Sequence, residues 1–326
     1  MLKYLFRSGK NNKLKYYIIN FIRVYSIPDF LYRVRRKAII DSLNNRLDKD
    51  YILSRVDYYC RLQSVIPMQE DKGMIMNFGR KGKYNSVYFF DTYEFLRYFP
   101  KSLRWNYRFG DVNTLQSSPS VVKSRPITEK NENSVLLNLD KVRHFIFLND
   151  KRRFIEKKNE VIFRGKISDK PRRIAFCERW FSDPICDIGG IEGKHSVHLE
   201  WVVPKMSLYD HLDFKFIMCL EGNDVASNLK WVMNSNSLAV MPKPTCETWF
   251  MEGKLIPDYH YVEIKSDYSD LKERMEYFME HTDEALAIIS HAHEWCAQFF
   301  DKKREKLISI LVLDKYFKMT GQNFLD

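Results

Sequence analysis

The 326-residue chain has no CxxC pair, and its six cysteines (Cys60, Cys177, Cys186, Cys219, Cys246, Cys296) are scattered. That argues against a zinc ribbon and against the disulfide framework of a small secreted scaffold, and it fits a reducing cytoplasm. Long hydrophobic runs are also missing. Tyr16 to Ile22, the longest charge-free stretch near the N-terminus, falls well short of the roughly 20 apolar residues that a membrane span needs. Arg23 interrupts it and no small-residue cleavage site follows, so a secretory signal is not expected. Metal-ligand patterns are scarce. The one Asp-x-Asp, Asp48-Lys49-Asp50, reads as a helix-end charge cluster. His195 with His198, and His291 with His293, lack a third ligand at useful spacing, and HAHEW at 291–295 is not HExxH. No metal is therefore expected. Repeats and low-complexity tracts are absent, and a chain with 45 % apolar and 15 % aromatic residues can build real cores, enough for two domains.

What the chain does have is positive charge in two blocks. Residues 1 to 46 carry eleven Lys/Arg against Asp29 and Asp41, and residues 151 to 173 carry ten against Glu156, Glu160 and Asp169. These balances of +9 and +7 exceed the net +11, so the remainder is mildly acidic. Two anionic partners fit this better than a uniform nucleic-acid coat, and no nucleic acid is expected. In the first block the cations interleave with Leu5, Phe6, Ile18, Phe21, Ile22, Tyr25, Phe30 and Leu31. Such a segment suits the interface of an anionic membrane, and a basic helix packed on the protein's own body is the alternative.

Further along, Ser54 to Gln63 reads as a helix with Tyr58, Tyr59 and Leu62 inward. Ser86 to Phe90 reads as a strand followed by a short helix, Tyr93 to Tyr98. Arg108-Phe109-Gly110-Asp111 ends an apolar run, where an aspartate is ordinarily a turn residue. Glu160 to Arg164 reads as a strand ending at Gly165, a position that lets backbone approach a ligand. Arg164 offers a planar fork of donors suited to phosphate, with Lys166, Arg172 and Arg173 adding to the field; a solvated charge run is the bland reading. Phe214, Phe216, Met218 and Leu220 alternate as a buried strand does. After the turn Glu221-Gly222-Asn223, Asp224 and Ser227 sit where side chains cap a helix start, and Val225, Leu229 and Val232 supply its inward stripe. Lys230 adds a cation one to two turns in. Leu238 to Met241 is the next strand, and Glu247 and Trp249 follow it near the sheet end where ligands gather. Met275, Phe278, Leu286, Ile289, Trp295, Phe299, Leu307, Ile310 and Leu313 read as core faces of C-terminal helices.

The order of these pieces resembles glycosyltransferase family 90, the CAP10-like family that includes protein O-glucosyltransferases and bacterial lipopolysaccharide glycosyltransferases. Phe163-Arg164-Gly165, the strand Asp210-His-Leu-Asp-Phe-Lys-Phe216, Gly222 to Trp231, Glu247 to Phe250 and His260-Tyr261 carry the resemblance, and Gly110-Asp111 with Lys123-Ser124-Arg125-Pro126 extends it. The bacterial lipopolysaccharide branch is the nearest. The resemblance implies an α/β protein of the GT-B kind, with two Rossmann-like domains facing a cleft and a final helix packing back on the first. On that plan residues 1–46 are the basic segment, 47–150 the acceptor-side domain, 151–300 the donor domain and 301–326 the last helix.

Asp111 is then the catalytic base of an inverting transfer, and Lys123 and Arg125 lie on the acceptor or phosphate side. Arg164, Gly165, Lys166, Arg173, Asn223, Asp224, Ser227, Asn228, Lys230, Glu247 and Trp249 hold a UDP-sugar. Many family members place an arginine where Asn228 falls, so its role passes to Lys230. Apart from the donor no cofactor is implied. The expected acceptor is a lipooligosaccharide or similar glycan at the inner face of the cytoplasmic membrane, met by a peripheral enzyme. A capsule or protein acceptor, or a non-catalytic binder of acidic glycans or nucleic acid, remains the alternative.

Overall fold

The run Phe214–Met218 is buried at every residue, as a strand covered on both faces must be. It lies at the centre of a five-stranded sheet. The computed structural model describes residues 8–79, 86–193 and 196–324. The chain divides into two units. One holds Asn12–Val142, Cys246–Phe250 and 299–324, and will be called the helical unit. The other holds 8–11, Arg143–Thr245 and Met251–Gln298, and will be called the sheet unit.

The helical unit starts with α1 (Lys13–Tyr25), α2 (Asp29–Asp41), α3 (Lys49–Tyr59) and α4 (Ser86–Leu96). The expected strand at 86–90 is thus part of a helix. The reason is that Val87, Tyr88, Phe90, Asp91, Thr92, Phe95 and Leu96 are all buried. A helix enclosed on every side shows no 3.6-residue period to read. The helix expected over 54–63 starts at Lys49 and stops at Tyr59, leaving Leu62 buried beyond its end. Strands β1 (Tyr107–Arg108), β2 (Ser120–Val122) and β4 (Ser134–Leu136) form a small parallel sheet, and β3 (Ser124–Pro126) continues from β2.

The sheet unit contains β5 (Lys158–Gly165), β6 (Cys186–Gly190), β7 (Phe214–Met218) and β8 (Leu238–Met241). At Thr245 the chain passes to the helical unit, adds β9 (Cys246–Thr248) antiparallel to β3, and returns with β10 (Val262–Glu263). The order β10-β8-β7-β5-β6 is parallel throughout. Helix α5 (Pro171–Trp180), opened by a proline suited to the first turn, packs Phe176 and Trp180 into a core with Val161, Phe163, Phe216 and Val240. Helices α7 (Leu271–Glu280) and α8 (Thr282–Ala297) add Met275, Phe278, Ile288 and Ile289. Leu286, expected in that core, is exposed.

Between β7 and β8 lies α6 (Leu229–Met233), only five residues long. The helix expected from Asp224 therefore starts later, and no side chain caps it. Asn228 Nδ2 donates instead to Met218 O at 2.8 Å, tying the turn to the end of β7. The final helix, α9 (Lys302–Met319), belongs to the helical unit, where it packs on α2, α3 and α4. Asp301 caps it by accepting from the backbone N–H groups of Lys303 and Arg304.

Candidate functional site

In the sheet unit, the loops after the carboxyl ends of β5, β6, β7 and β8 are cross-linked at one edge, where parallel sheets hold ligands. Arg173 reaches out from α5 and donates to Lys166 O and to Leu220 O, both at 2.9 Å, joining the β5 and β7 loops. Burial holds its pKa below the ordinary guanidinium value. Arg172 joins the next pair by donating to the Glu221 carboxylate and, at 3.2 Å, to Thr245 Oγ1. Glu192, beyond β6, accepts from Ile167 N at 2.5 Å, Ser168 N at 2.7 Å and Ser168 Oγ at 3.0 Å. Burial works to raise the pKa of Glu192, but the backbone N–H groups of Ser168 and Ile167 outweigh it and leave the value below the usual range. Lys166 and Lys243 are exposed on these loops and Arg172 in the first turn of α5, so the edge presents cations to solvent, Lys166 paired with Asp169 at 3.1 Å and Arg172 with Glu221.

Several expected donor contacts are redirected. Arg164 turns into the sheet: its guanidinium bonds Asp187 Oδ1 at 2.5 Å and Asp187 O at 2.7 Å on the neighbouring strand. Gly165 leaves room for protein rather than for ligand, since a Cβ there would come within 2.7 Å of the Phe163 ring and 3.3 Å of Arg173 Nη1. Lys230 is fully buried and bonded to Glu252 Oε1 at 2.8 Å, so its charge is met inside the unit. The turn leads into a five-residue α6 that no side chain caps. Asp224 is buried, whereas Asn223 and Ser227 face solvent on the turn. Residue-type reasoning missed Glu192 and the bridging role of Arg173. The pair Gly189-Gly190 at the end of an apolar run was the available signal for the first.

In the helical unit, Gly110 adopts φ +104°, which a side chain would resist, and this turn sets Asp111 at an exposed position. Ser124 Oγ holds the loop by accepting from Val112 N and donating to Val112 O, both at 3.0 Å. Lys123 Nζ, enclosed by the protein, donates to Asp111 Oδ1 at 2.5 Å. Asp111, Lys123 and Ser124 are thus brought together, though Lys123 faces the aspartate and not an open acceptor surface. Arg125 is also enclosed. Its Nε donates to Glu247 Oε1 at 2.8 Å, and Arg61 and the Tyr58 hydroxyl meet the same carboxylate. Burial lowers the Arg125 pKa, against the pull of Glu247.

Glu247 and Trp249, expected beside the donor, fall in the Cys246–Phe250 segment that follows β8. They belong to the helical unit, where Trp249 stacks on Tyr59 at 3.9 Å and donates to Glu305 Oε2 at 2.6 Å. Asp48 accepts from Arg46 and Arg304. His195 lies outside the described residues, and His198 stacks on Trp201. Among the described residues no three His, Cys, Asp or Glu side chains are grouped to hold a metal ion.

A family model described as glycosyl transferase family 90 matches residues 136–322, which include every loop of the sheet edge but not Asp111. The chain is also 41 % identical over 271 residues to O-glucosyltransferase LpsA of Dichelobacter nodosus, with 82 % of this chain and 83 % of that protein covered.

Proposed function

Because the chain belongs to glycosyltransferase family 90 and is a glycosyltransferase, we propose that it moves a hexose from a UDP-sugar to a lipopolysaccharide or lipooligosaccharide core. The name of its relative, an O-glucosyltransferase, favours glucose. In this reading an acceptor hydroxyl oxygen attacks the anomeric carbon while the Asp111 carboxylate takes its proton. The bond from that carbon to the diphosphate oxygen breaks, UDP leaves with the electron pair, and the centre inverts.

The observation that carries the donor side is the cationic loop edge of the parallel sheet, with Lys166 and Arg172 exposed within the family-matched residues. Cations and backbone N–H groups placed at a developing diphosphate charge stabilise it without reorganising. Lys166, Arg172, Asn223 and Ser227 are assigned to direct donor contact, and Arg164, Gly165, Arg173, Asp224, Asn228 and Lys230 to holding the loops. A GT-B arrangement, metal independence and a peripheral position at the inner face of the cytoplasmic membrane complete the proposal.

Thermal-shift screening against nucleotide sugars, followed by transfer to a deacylated core oligosaccharide in excess EDTA, tests it. A UDP-hexose is expected to stabilise the protein and to be consumed with chelator present. Stabilisation by no nucleotide sugar would overturn the reading, and loss of transfer in EDTA would overturn its metal-free form.

A further inference from the structure

Helices α1 and α2 each set a few polar residues against the body and turn an apolar face outward. On α1, Tyr16, Asn20 and Arg23 recur at helical spacing on the packed side. The Tyr16 hydroxyl donates to Asp91 Oδ1 at 2.7 Å, Asn20 is buried, and Arg23 pairs with Glu94 at 2.9 Å. On the opposite side Leu14, Ile18, Phe21, Ile22 and Tyr25, spaced i, i+4, i+7, i+8, i+11, are each at least 50 % exposed. The pattern repeats on α2. Arg36 is buried between Asp314, 3.5 Å away, and the Phe99 ring, while Phe30, Leu31 and Val34, with Ile27 of the preceding turn, face solvent. Exposed apolar side chains scattered singly are ordinary, whereas a contiguous face marks a contact surface.

The face is held rigid from beneath. Arg97 donates to the carbonyls of Arg23 and Ile27 on either side of the turn and to Asp29 Oδ1 at 2.7 Å. Asp29 also accepts from the Tyr93 hydroxyl at 2.6 Å and pairs with Lys101 at 2.8 Å. An open groove of about 400 Å³, lined by Tyr17, Ile18, Phe21, Ile22 and Phe90, runs along α1. Lys13, Lys15, Arg35 and Lys37 are exposed on the same two helices, against the single exposed acid Asp41.

We propose that α1, the turn at 26–28 and α2 form a preassembled docking platform for an anionic phospholipid bilayer, with the groove along α1 receiving a lipid acyl chain. The exposed cations decide the partner. A two-fold contact with a second copy would set like charges against like, whereas an anionic headgroup layer complements them. The bilayer is chosen in keeping with the proposed function, in which the acceptor is lipid-linked, and the inference rests on that reading to this extent.

The test is co-sedimentation of the full chain with phosphatidylglycerol/phosphatidylethanolamine vesicles and with phosphatidylcholine vesicles. It is paired with transfer to a deacylated, soluble acceptor. Wild type is expected to sediment with the anionic vesicles only. Phe21→Asp with Phe30→Asp, and separately Lys13, Lys15, Arg35 and Lys37 to Gln, are expected to lower binding at least tenfold while melting temperature and soluble transfer are kept. Failure of wild type to bind, or undiminished binding by the Phe21→Asp/Phe30→Asp variant, overturns the platform and leaves the transfer reaction standing. A wild-type dimer that this variant dissolves, without vesicle binding, assigns the face to a second copy and overturns it equally. Vesicle binding without any transfer supports the platform and sinks the proposed reaction instead.

Discussion

The molecule puts positive charge to two uses, and neither is confined to one unit: Lys230 is enclosed with Glu252 in the sheet unit, and Lys13 and Lys37 are exposed in the helical unit. The sheet unit exposes Lys166 and Lys243 on loops, and Arg172 at the start of α5, at the sheet edge. The helical unit encloses Arg55, Arg97, Lys123 and Arg125 and pairs them with Glu305, Asp29, Asp111 and Glu247. An exposed cation adds little to stability, and a surface ion pair such as Lys166 with Asp169 or Arg172 with Glu221 can be exchanged for a ligand at small cost. A buried one must be matched, and losing its partner is costly. Counting lysines and arginines cannot separate these uses; the structure assigns them by burial.

The largest effect expected from breaking this division is on catalysis. Asp111→Asn keeps the shape of the Gly110 turn but removes the proton acceptor. General-base contributions are about 10²- to 10⁴-fold, so kcat should fall by that much while UDP-sugar affinity, measured by calorimetry, is unchanged. Retained kcat would remove Asp111 from the reaction. Next comes the buried pair. Arg125→Met leaves Glu247 enclosed with less compensation, and about 3–5 kcal/mol of stability should be lost. Denaturant unfolding checks this, and Arg125→Met with Glu247→Gln should recover part of the loss. If Arg125→Met melted like wild type while losing donor affinity, the buried pair would have to be reassigned to the ligand.

The exposed cations should behave in the reverse manner. Lys166→Ala and Arg172→Ala are each expected to weaken donor binding about tenfold, since a charge-assisted hydrogen bond contributes about 1.5 kcal/mol. The melting temperature of the unliganded protein should hardly move. A large fall in stability with intact affinity would erase the contrast between exposed and enclosed cations.

Much of the sheet unit was legible because strands buried in a parallel sheet have few ways to be written. Phe214–Met218 alternates apolar residues around Lys215, and Leu238–Met241 is a continuous apolar run between turn residues. The last helix was legible from its long apolar spacing. In contrast, α4 was hidden, because a helix enclosed on all sides has no polar face to mark its period. At the candidate site, proximity in sequence did not reveal the partners. Glu247 follows β8 by a few residues, yet the chain enters the helical unit at Cys246 to complete a pair with Arg125. Lys230 sits where a phosphate contact is plausible, and only the position of Glu252 shows its charge already matched. The resemblance located Asp111 and Lys123 twelve residues apart, but their 2.5 Å contact required the turn at Gly110 and the β2 to β3 path. The outward apolar face of α1 is the clearest case: the sequence shows an amphipathic helix but not which side the body takes.

The smallest effect concerns pH. In the sheet unit, burial and the neighbouring His291 push the His260 pKa from 6.5 down to about 4. Its Nδ1 accepts from Ile256 N at 2.9 Å, a bond that the protonated ring cannot accept. The unfolded chain therefore binds a proton between pH 6.5 and about 4 that the folded chain excludes. Stability from this residue is fully present above pH 6.5 and is lost as pH falls toward 4, by about 2 kcal/mol at most at pH 5. In the helical unit, burial works to raise the pKa values of Asp29 and Glu94, but their cationic partners hold both below the ordinary carboxylate range. Their stabilisation is present above that range and lost only as pH falls through the lowered values. Asp91, pushed up by burial, acts in the opposite sense over its own range. His260→Asn, whose amide oxygen can accept from Ile256 N at any pH, should remove the loss between pH 7.5 and 5 seen by thermal unfolding of wild type. An unchanged slope in that variant would place the acid sensitivity elsewhere than in the His260 ring.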